Sequence, residues 1–357
     1  MLGYFVRRLL WTVVLFLVVT LFTFVTFFVI PADRTLIGRG ASEADTVDIR
    51  DAFEVEGGVF EAYGRFVWNL ASHGELGHSF VTRQEVSDMI GRAAPVTISL
   101  VLGAAVLWML IALSVGIISA LKPRSLLDRV TMVFVLIGIS THPAWVGFLL
   151  AYFFGRKLDW VPYSGYCDLV NPSTDCGGPA DWAYHLVLPW ITLSLLFAAV
   201  YTRMVRANVI ETLNEDYVRT ARAKGASEWM VMRSHVLRNS MLVVVTMLGM
   251  DLGLAMVGTV LMGGAIFVER VFSLPGLGVM ALNALPGRDL PVIAGTVLFV
   301  TAVIMALSLV VDLIYAWLDP RVRVDWKTDA EQPRRYMRRS PTVSIGAPRP
   351  TIASRPD

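Results

Sequence analysis

Long apolar stretches alternate with polar ones along this chain, and the lengths of the apolar stretches predict helices that cross a membrane. A helix needs about 20 mostly apolar residues to span a hydrocarbon core of ~30 Å, because lipid offers the backbone no hydrogen-bond partner. The predicted spans are Leu9–Ile30, Val96–Leu121, Val130–Phe154, Leu186–Tyr201, Met241–Phe267 and Val292–Trp317. We therefore expect an all-α membrane protein with six transmembrane helices.

Composition supports this class. Mean hydropathy is +0.60 and only 17% of the residues are charged, whereas charged residues make up about 25% of soluble domains. The first span is too long for the apolar region of a secretory signal, and "FFVIPADRT" at its exit lacks a small-residue cleavage pattern. We expect this span to remain as a helix.

The polar stretches differ in charge, and this difference predicts the orientation of the chain. Basic residues collect before the first span, after the second, in the loop from Arg203 to Arg238 and after Asp319. The stretches 31–95 and 157–184 are instead acidic. Because loops rich in Lys and Arg stay in the cytoplasm, we predict a multi-pass plasma (inner) membrane protein with both termini cytoplasmic.

These boundaries predict four regions. They are an N-terminal span (1–30), an extracytoplasmic segment (31–95), a transmembrane core (96–318) with a cytoplasmic loop (207–240), and a basic cytoplasmic tail (319–357). The aromatic residues and glycines of "FVWNLASHGELGHSF" favour a packed subdomain within the external segment. The tail lacks the apolar content to fold, so we expect it to be disordered. Contact of its arginines with anionic lipid headgroups is the alternative.

The two cysteines, Cys167 and Cys176, fall in one loop that the charge pattern places outside. Their separation allows a small disulfide loop in an oxidising compartment, and two free thiols are the alternative. A metal site is not expected, because no four ligands have suitable spacing.

The chain carries no motif of a self-contained enzyme. It has no phosphate-binding G-x-x-x-x-G-K-[ST] loop, no G-x-S-x-G nucleophile and no H-E-x-x-H pair. We therefore expect no catalytic residues, no cofactor and no nucleic-acid partner. Asp251 is the one acid well inside a predicted span. It could face a substrate path or a partner subunit, or make a structural hydrogen bond between helices.

A basic, alanine-rich run, "DYVRTARAKG", interrupts the apolar pattern between the fourth and fifth spans. It predicts a helix capped by Asn214 or Asp216 and ended by Gly225 in a left-handed conformation. A second helix is expected to begin at Ser227, with Trp229, Met232 and Val236 forming one apolar stripe. The alternative is an amphipathic connector that lies on the bilayer surface.

At these residues the chain resembles the permeases of ABC importers. "RTARAKG" followed by "HVLRN" is similar to their cytoplasmic E-A-A-x-x-x-G loop, in the form found in the first permease subunit of dipeptide and oligopeptide importers. Arg219 stands where many permeases have Glu, and Arg238 where they have Pro. The resemblance implicates Asp216, Tyr217, Arg219, Thr220, Ala221, Ala223, Lys224, Gly225, His235, Leu237 and Arg238.

Four more stretches resemble this family in the same order. They are "MLGYFVRRLL", "GELGHSF", "FVERVFSLPGLGVMALNALPGRDLPVIAG" and "DLIYAWLDPRVR". The resemblance implies a type I importer fold with a second permease subunit, two ATPase subunits that bind the loop, and an extracytoplasmic substrate-binding protein. It implies di- or oligopeptide cargo, while nickel, glutathione or haem are alternatives within the family. A secondary transporter with its own proton or sodium relay is the alternative from another class.

Overall fold

The computed structural model describes residues 2–29, 59–169, 176–257 and 265–318, and most of these are helical. The helices are α1 (Leu2–Phe24), α2 (Val59–His73), α3 (Val86–Leu121), α4 (Leu126–Ser140), α5 (Pro143–Leu150), α6 (Pro179–Leu213), α7 (Asp216–Ala223), α8 (Glu228–Val231), α9 (Arg238–Val257), α10 (Ala265–Val271), α11 (Leu277–Ala284) and α12 (Leu290–Leu318). Three π-helical turns extend α1 (Val25–Val29), extend α5 (Ala151–Lys157) and join α8 to α9 (Met232–Leu237).

The described helices form a multi-pass membrane fold. Those long and apolar enough to cross a bilayer contain the segments Val6–Phe27, Val86–Leu121, Pro179–Leu213 and Leu290–Val310. The α4–α5 pair adds a fifth span if it is counted as one. The predicted fifth span includes residues 258–264, which lie outside the described residues, so the count of six stays a prediction. Most of the acidic external stretch and the whole predicted tail also lie outside them.

The third predicted span is not one straight helix. α4 and α5 meet at an angle of 104°. Pro143 begins α5 and has no N–H to continue the hydrogen bonds of α4, and the residue before a proline avoids helical geometry. His142 is accordingly extended, and its ring nitrogen accepts a hydrogen bond from Ala144 N at 3.2 Å, which caps α5.

The fourth predicted span is much too short. α6 runs from Pro179 to Leu213, well beyond the predicted Leu186–Tyr201. The prediction followed the apolar positions alone, whereas the helix continues through the polar residues on both sides. Its extension past Tyr201 leads directly to the loop region that the sequence singled out.

The packing of α3 against α6 forms the centre of the core. The Trp190 ring lies directly over Gly103, and its indole N–H donates to the Ser99 carbonyl at 3.0 Å. Five residues further along α3, Trp108 is fully buried and stacks on Phe197 with ring centroids 4.6 Å apart. Small residues let two helix backbones approach closely, which is the main source of helix association within lipid.

The remaining helices pack around this pair. α12 contacts α1, α9 and α3, and the short helices α10 and α11 lie against α5 and α3 respectively. The short helices α10 and α11 therefore connect α3 with α12. The C-terminal end of α6 leads into α7.

We expect Gly103→Ala to destabilise the protein, because a Cβ atom at this position would overlap the Trp190 ring. Overpacking of this kind costs about 1–3 kcal/mol. Gly91→Ala is a matched control on the same helix, since nothing lies within 4 Å of its Cβ position. The measurement is the midpoint of thermal unfolding of each purified variant in lipid nanodiscs. Equal midpoints for the two variants would contradict the proposed close contact.

Candidate functional site

The basic run singled out in the sequence forms a short helix, a glycine turn and a second helix. We call residues 214–240 the elbow. α7 ends at Ala223, and Gly225 follows with φ of +83°, in the left-handed region where the sequence places it. Gly225 N donates to the Arg222 carbonyl at 2.9 Å and Ala226 N to the Ala221 carbonyl at 3.2 Å. These bonds satisfy carbonyls at the end of α7, as in other helices that end on a left-handed glycine.

The start of α7 differs from the prediction. Glu215 is the capping residue, and its side chain makes no capping hydrogen bond. Neither Asn214 nor Asp216 fills this role, because Asn214 ends α6 and its amide donates back to the Ile210 carbonyl at 2.9 Å. The second cap is as expected, since the Ser227 hydroxyl accepts a hydrogen bond from Met230 N at 3.4 Å.

Side-chain contacts cross the elbow at two places. Arg222 on α7 and Glu228 on α8 form a bidentate ion pair, with N···O distances of 2.9 and 3.1 Å. Asn239 on α9 donates to the Tyr217 hydroxyl at 2.7 Å, and the Tyr217 ring lies 6.4 Å from that of His235. The first contact holds α7 to α8, and the second holds α7 to the start of α9.

The inner face of the elbow is buried. Val218, Val231 and Val236 are fully buried, and Met232 nearly so. Of the predicted apolar stripe, Met232 and Val236 are buried, whereas Trp229 is 72% exposed. Met232 and Val236 lie in the π turn Met232–Leu237, and Trp229 precedes it on α8.

The outer face of the elbow is basic and aromatic. Among the loop residues that the sequence singled out, those exposed are Asp216, Tyr217, Arg219, Thr220, Ala223, Lys224, Gly225 and Arg238. Ala221, His235 and Leu237 are partly buried. Trp229 and Met230 add exposed apolar surface to this face. A buried inner face and an exposed aromatic outer face suit an element that is fixed in its own subunit and contacts another.

An ion pair between the buried Asp128 and the partly buried Arg206 lies just before the elbow, and the hydropathy pattern did not predict it. The Asp128 carboxylate on α4 accepts hydrogen bonds from Arg206 Nε at 2.6 Å and Arg206 Nη2 at 2.9 Å. The Ser119 hydroxyl and the Arg124 backbone N–H also donate to it, at 2.5 and 2.8 Å. Arg206 interrupts the apolar pattern of its helix, and this is the signal that could have suggested a buried partner.

Asp251 lies on α9 and contacts α6, not the elbow. The buried Tyr201 hydroxyl donates to the Asp251 carboxylate at 2.6 Å. Asp251 therefore makes a hydrogen bond between two helices, as the structural interpretation of this residue predicts. The bond does not test the alternative that Asp251 faces a substrate path or a partner subunit.

Two motifs far apart in the sequence meet at the start of α12. In "GELGHSF", the Ser79 hydroxyl donates to the Asp289 carboxylate, and Phe80 N donates to the same carboxylate at 3.0 Å. Ser79 and Asp289 are both buried. The carboxylate thus fixes the turn before α3 to the turn before α12.

A second buried carboxylate, Glu269 on α10, holds the Pro-Gly turn that follows it. It accepts hydrogen bonds from the Thr97 hydroxyl at 2.6 Å and from Val279 N at 3.0 Å, while Leu277 N donates to the Thr97 oxygen at 2.9 Å. Burial raises the pKa of Glu269 to about 7, although these hydrogen bonds act to lower it. The Glu269 carboxylate occupies the space that a Cβ at Gly276 would need, which explains glycine there.

Cys167 and Cys176 are joined in a disulfide, with their Cα atoms 5.5 Å apart. Cys167 is buried, and the loop is held to the core where Gly165 N donates to the Phe272 carbonyl at 3.1 Å. Within the described part of the chain, no three His, Cys, Asp or Glu side chains are placed to hold a metal ion.

Comparison with known proteins places most of the chain in one group. Residues 112–324 match the family described as the inner membrane component of binding-protein-dependent transport systems. Residues 1–101 match the N-terminal region of such membrane components. The elbow and the buried polar contacts around it all fall within these two matches.

Individual relatives are similar over nearly their full length. A putative peptide permease protein of Brucella suis is 39% identical over 329 residues, which cover 91% of this chain and 100% of the relative. A di/tripeptide transport system permease protein of Pseudomonas aeruginosa is 35% identical over 340 residues, covering 90% and 99%. A dipeptide transport system permease protein of Alkalihalophilus pseudofirmus is 32% identical over 339 residues, covering 90% and 100%. The chain belongs to the family of inner-membrane permease components of binding-protein-dependent transport systems.

Proposed function

We propose that this chain is one of two permease subunits of an ABC importer, and that it forms part of a path for di- or oligopeptides. The names of its relatives support peptides as the cargo. Nickel, glutathione and haem remain the alternatives that a cargo assay must include. An exported substrate-binding protein is expected to deliver the cargo, as the family description implies.

The elbow is the observation that supports coupling to separate ATPase subunits. Because the chain has no phosphate-binding loop, work from ATP hydrolysis has to enter through a contact surface. The elbow has a rigid, buried inner face and an exposed face with Tyr217 and Trp229. Its internal ion pair and hydrogen bonds would let it move as one body when an ATPase subunit pushes on it.

The charge pattern supports a cytoplasmic position for the elbow. The basic stretches include Arg219 and Lys224 in the elbow, and Arg124 beside the Asp128 ion pair. Short loops rich in Lys and Arg are retained in the cytoplasm. Both termini would then be cytoplasmic, with six spans in the inner membrane. The disulfide would face the oxidising side of that membrane.

Gly225→Val should uncouple transport. Valine is strained at φ of +83°, at a cost of roughly 1–2 kcal/mol, although no atom lies within 4 Å of its Cβ position. A strain of ~1.4 kcal/mol lowers the population of the strained conformation about tenfold. We therefore expect uptake of labelled di- and tripeptides to fall by about the same factor. Gly225→Ala should be milder, and Ala226→Val, the matched control, milder still. The assay is uptake and substrate-stimulated ATPase activity of the assembled complex in vesicles.

The controls separate coupling from assembly. Each variant complex is checked for its full set of subunits before the assay. A connector that only lies on the bilayer surface predicts almost normal transport for all three variants. Unimpaired, substrate-stimulated ATP hydrolysis in Gly225→Val would exclude the proposed coupling role.

Asp251→Asn separates a structural role from a proton relay. Asparagine keeps an oxygen that accepts the Tyr201 hydrogen bond but cannot ionise. We expect near-normal uptake, whereas Asp251→Leu should lower the thermal unfolding midpoint because the buried Tyr201 hydroxyl would lose its partner. Loss of uptake by Asp251→Asn at normal protein abundance would instead support the secondary-transporter alternative.

The proposed topology is tested by thiol labelling in intact cells. Both native cysteines are in the disulfide and give no background. A cysteine at Ser227, in the elbow, should react with a membrane-impermeant thiol reagent only after the cells are permeabilised. A cysteine at Ser72, at the end of α2, should react without permeabilisation. Labelling of position 227 from outside would overturn the orientation and with it the docking of cytoplasmic ATPases.

A further inference from the structure

The surface of α2 is divided into three sectors along the helix. Ala62, Phe66 and Leu70 turn inward and pack against other helices. The exposed surface has a polar sector that contains Glu61, Asn69 and Ser72, and next to it a sector without charge. We call the uncharged sector, formed by Phe60, Gly64 and Trp68, the α2 stripe.

The α2 stripe is strongly exposed. Phe60 is 85% exposed and Trp68 is 69% exposed. The three stripe residues follow each other at intervals of four, so they lie on one side of the helix. Leaving two large aromatic side chains in water is costly, since burying each is worth about 1.5–3 kcal/mol.

Contacts with α1 show the depth of α2. The Tyr63 hydroxyl hydrogen-bonds to Thr20 Oγ1 at 2.9 Å and donates to the Leu17 carbonyl at 2.8 Å. Both partners belong to the membrane span Val6–Phe27. Thr20 is seven residues from the end of that span, which corresponds to about 10 Å along the helix axis. Tyr63 thus lies beside the middle of the span rather than beyond its end.

A second span borders the same side of α2. Ala62 packs with Phe24 of α1 and Ala294 of α12 in one buried cluster. The Phe66 ring lies 5.5 Å from that of Phe24. Ala294 falls within the span segment Leu290–Val310. The first half of α2 is therefore packed against two helices that are long and apolar enough to span a membrane, at positions three and four residues inside the ends of their apolar segments.

We propose that α2 is embedded in one leaflet of the bilayer and that the α2 stripe contacts the lipid acyl chains. α1 presents exposed apolar side chains at the same depth, with Val18 and Phe22 57% and 72% exposed. Exposed apolar side chains on a membrane span are expected to contact lipid, and the α2 stripe lies at the same depth as Val18 and Phe22. In the proposed topology this is the leaflet opposite the cytoplasm.

The sequence of α2 fits a position at the edge of the hydrocarbon. Its backbone is helical from Val59 to His73, so the N–H and C=O groups in the interior of the helix are paired with each other. Trp68 lies two turns beyond Phe60, toward the polar end with Ser72 and His73, and tryptophan favours the boundary between acyl chains and headgroups. Glu61 is turned by about 100° from Phe60 but by only about 20° from Trp68, which lies two turns further along α2, so the polar sector borders the α2 stripe.

The test is the accessibility of spin labels to oxygen and to a water-soluble nickel chelate. Single cysteines replace Phe60, Trp68, Phe22 or Ser72 in the full chain, assembled with its partner subunits in nanodiscs of phosphatidylethanolamine and phosphatidylglycerol. Within this chain the native disulfide leaves no other thiol, so the spin label is attached to the purified chain before it is assembled with its partner subunits. The label at position 22 is the reference for lipid, and the label at position 72 is the reference for water.

We expect the label at position 60 to match that at position 22, with high oxygen and low nickel accessibility. Its nickel collision rate should be about tenfold below that at position 72, because polar solutes are excluded from hydrocarbon. Position 68 should fall between the two references. A nickel rate at position 60 equal to that at position 72 would place the stripe in water. Low accessibility to both reagents would mean that protein covers it. Either result would overturn the proposal without affecting the proposed coupling role of the elbow.

Discussion

The close approach of α3 and α6 is the contact on which the rest of the structure depends. Within lipid, two apolar helices gain little from excluding water, so their association relies on close packing and on the few hydrogen bonds between them. Because Gly103 has no side chain, the Trp190 ring can pack directly against it. The Trp190 indole N–H in turn donates a hydrogen bond to a backbone carbonyl of α3. Nearer the elbow, the Val205 side chain packs against Gly116 in the same way. The two helices are therefore held along most of their shared length.

This packing connects the elbow to the opposite end of the molecule. Past Val205, α6 carries Arg206, whose guanidinium is bound by the buried Asp128 carboxylate. A buried ion pair contributes little net stability, but removing one partner leaves an uncompensated buried charge. The pair therefore fixes the position of α4 relative to α6 two turns before the elbow begins. A displacement of the elbow would act first on this junction.

The sequence predicted the elements that depend on local chemistry. The membrane class, the left-handed Gly225 and the Ser227 cap all follow from residue types and their spacing, and the structure contains each of them. The errors come from tertiary context. Asn214 looked like a cap because its side chain suits one, but α6 extends to Leu213 and uses it at its own end. Trp229 belongs to the predicted apolar stripe, but it is exposed while Met232 and Val236 are buried, so the stripe does not form one buried face.

Long-range polar contacts lay beyond the reach of sequence reasoning. Ser79 and Asp289 were noted only within separate motifs, and nothing in either motif specifies that one bonds the other. The same holds for Asp128 with Arg206 and for Tyr63 with Leu17. Hydropathy could not reveal these partners, because a window along the chain measures average polarity and not which polar groups meet.

Polar side-chain contacts fix the chain at both ends of the α3–α6 pair. At one end, Asp289 and Glu269 each bind several donors and fix the turns that lead into α12 and α11. At the other end, the elbow is closed by Arg222 with Glu228 and by Tyr217 with Asn239. Since α3 and α6 join the two ends through tight packing, a motion that enters at the elbow is more readily passed on by rotation of whole helices than absorbed by bending. Under the proposed function, a rigid connection of this kind would carry motion from an ATPase subunit into the membrane helices.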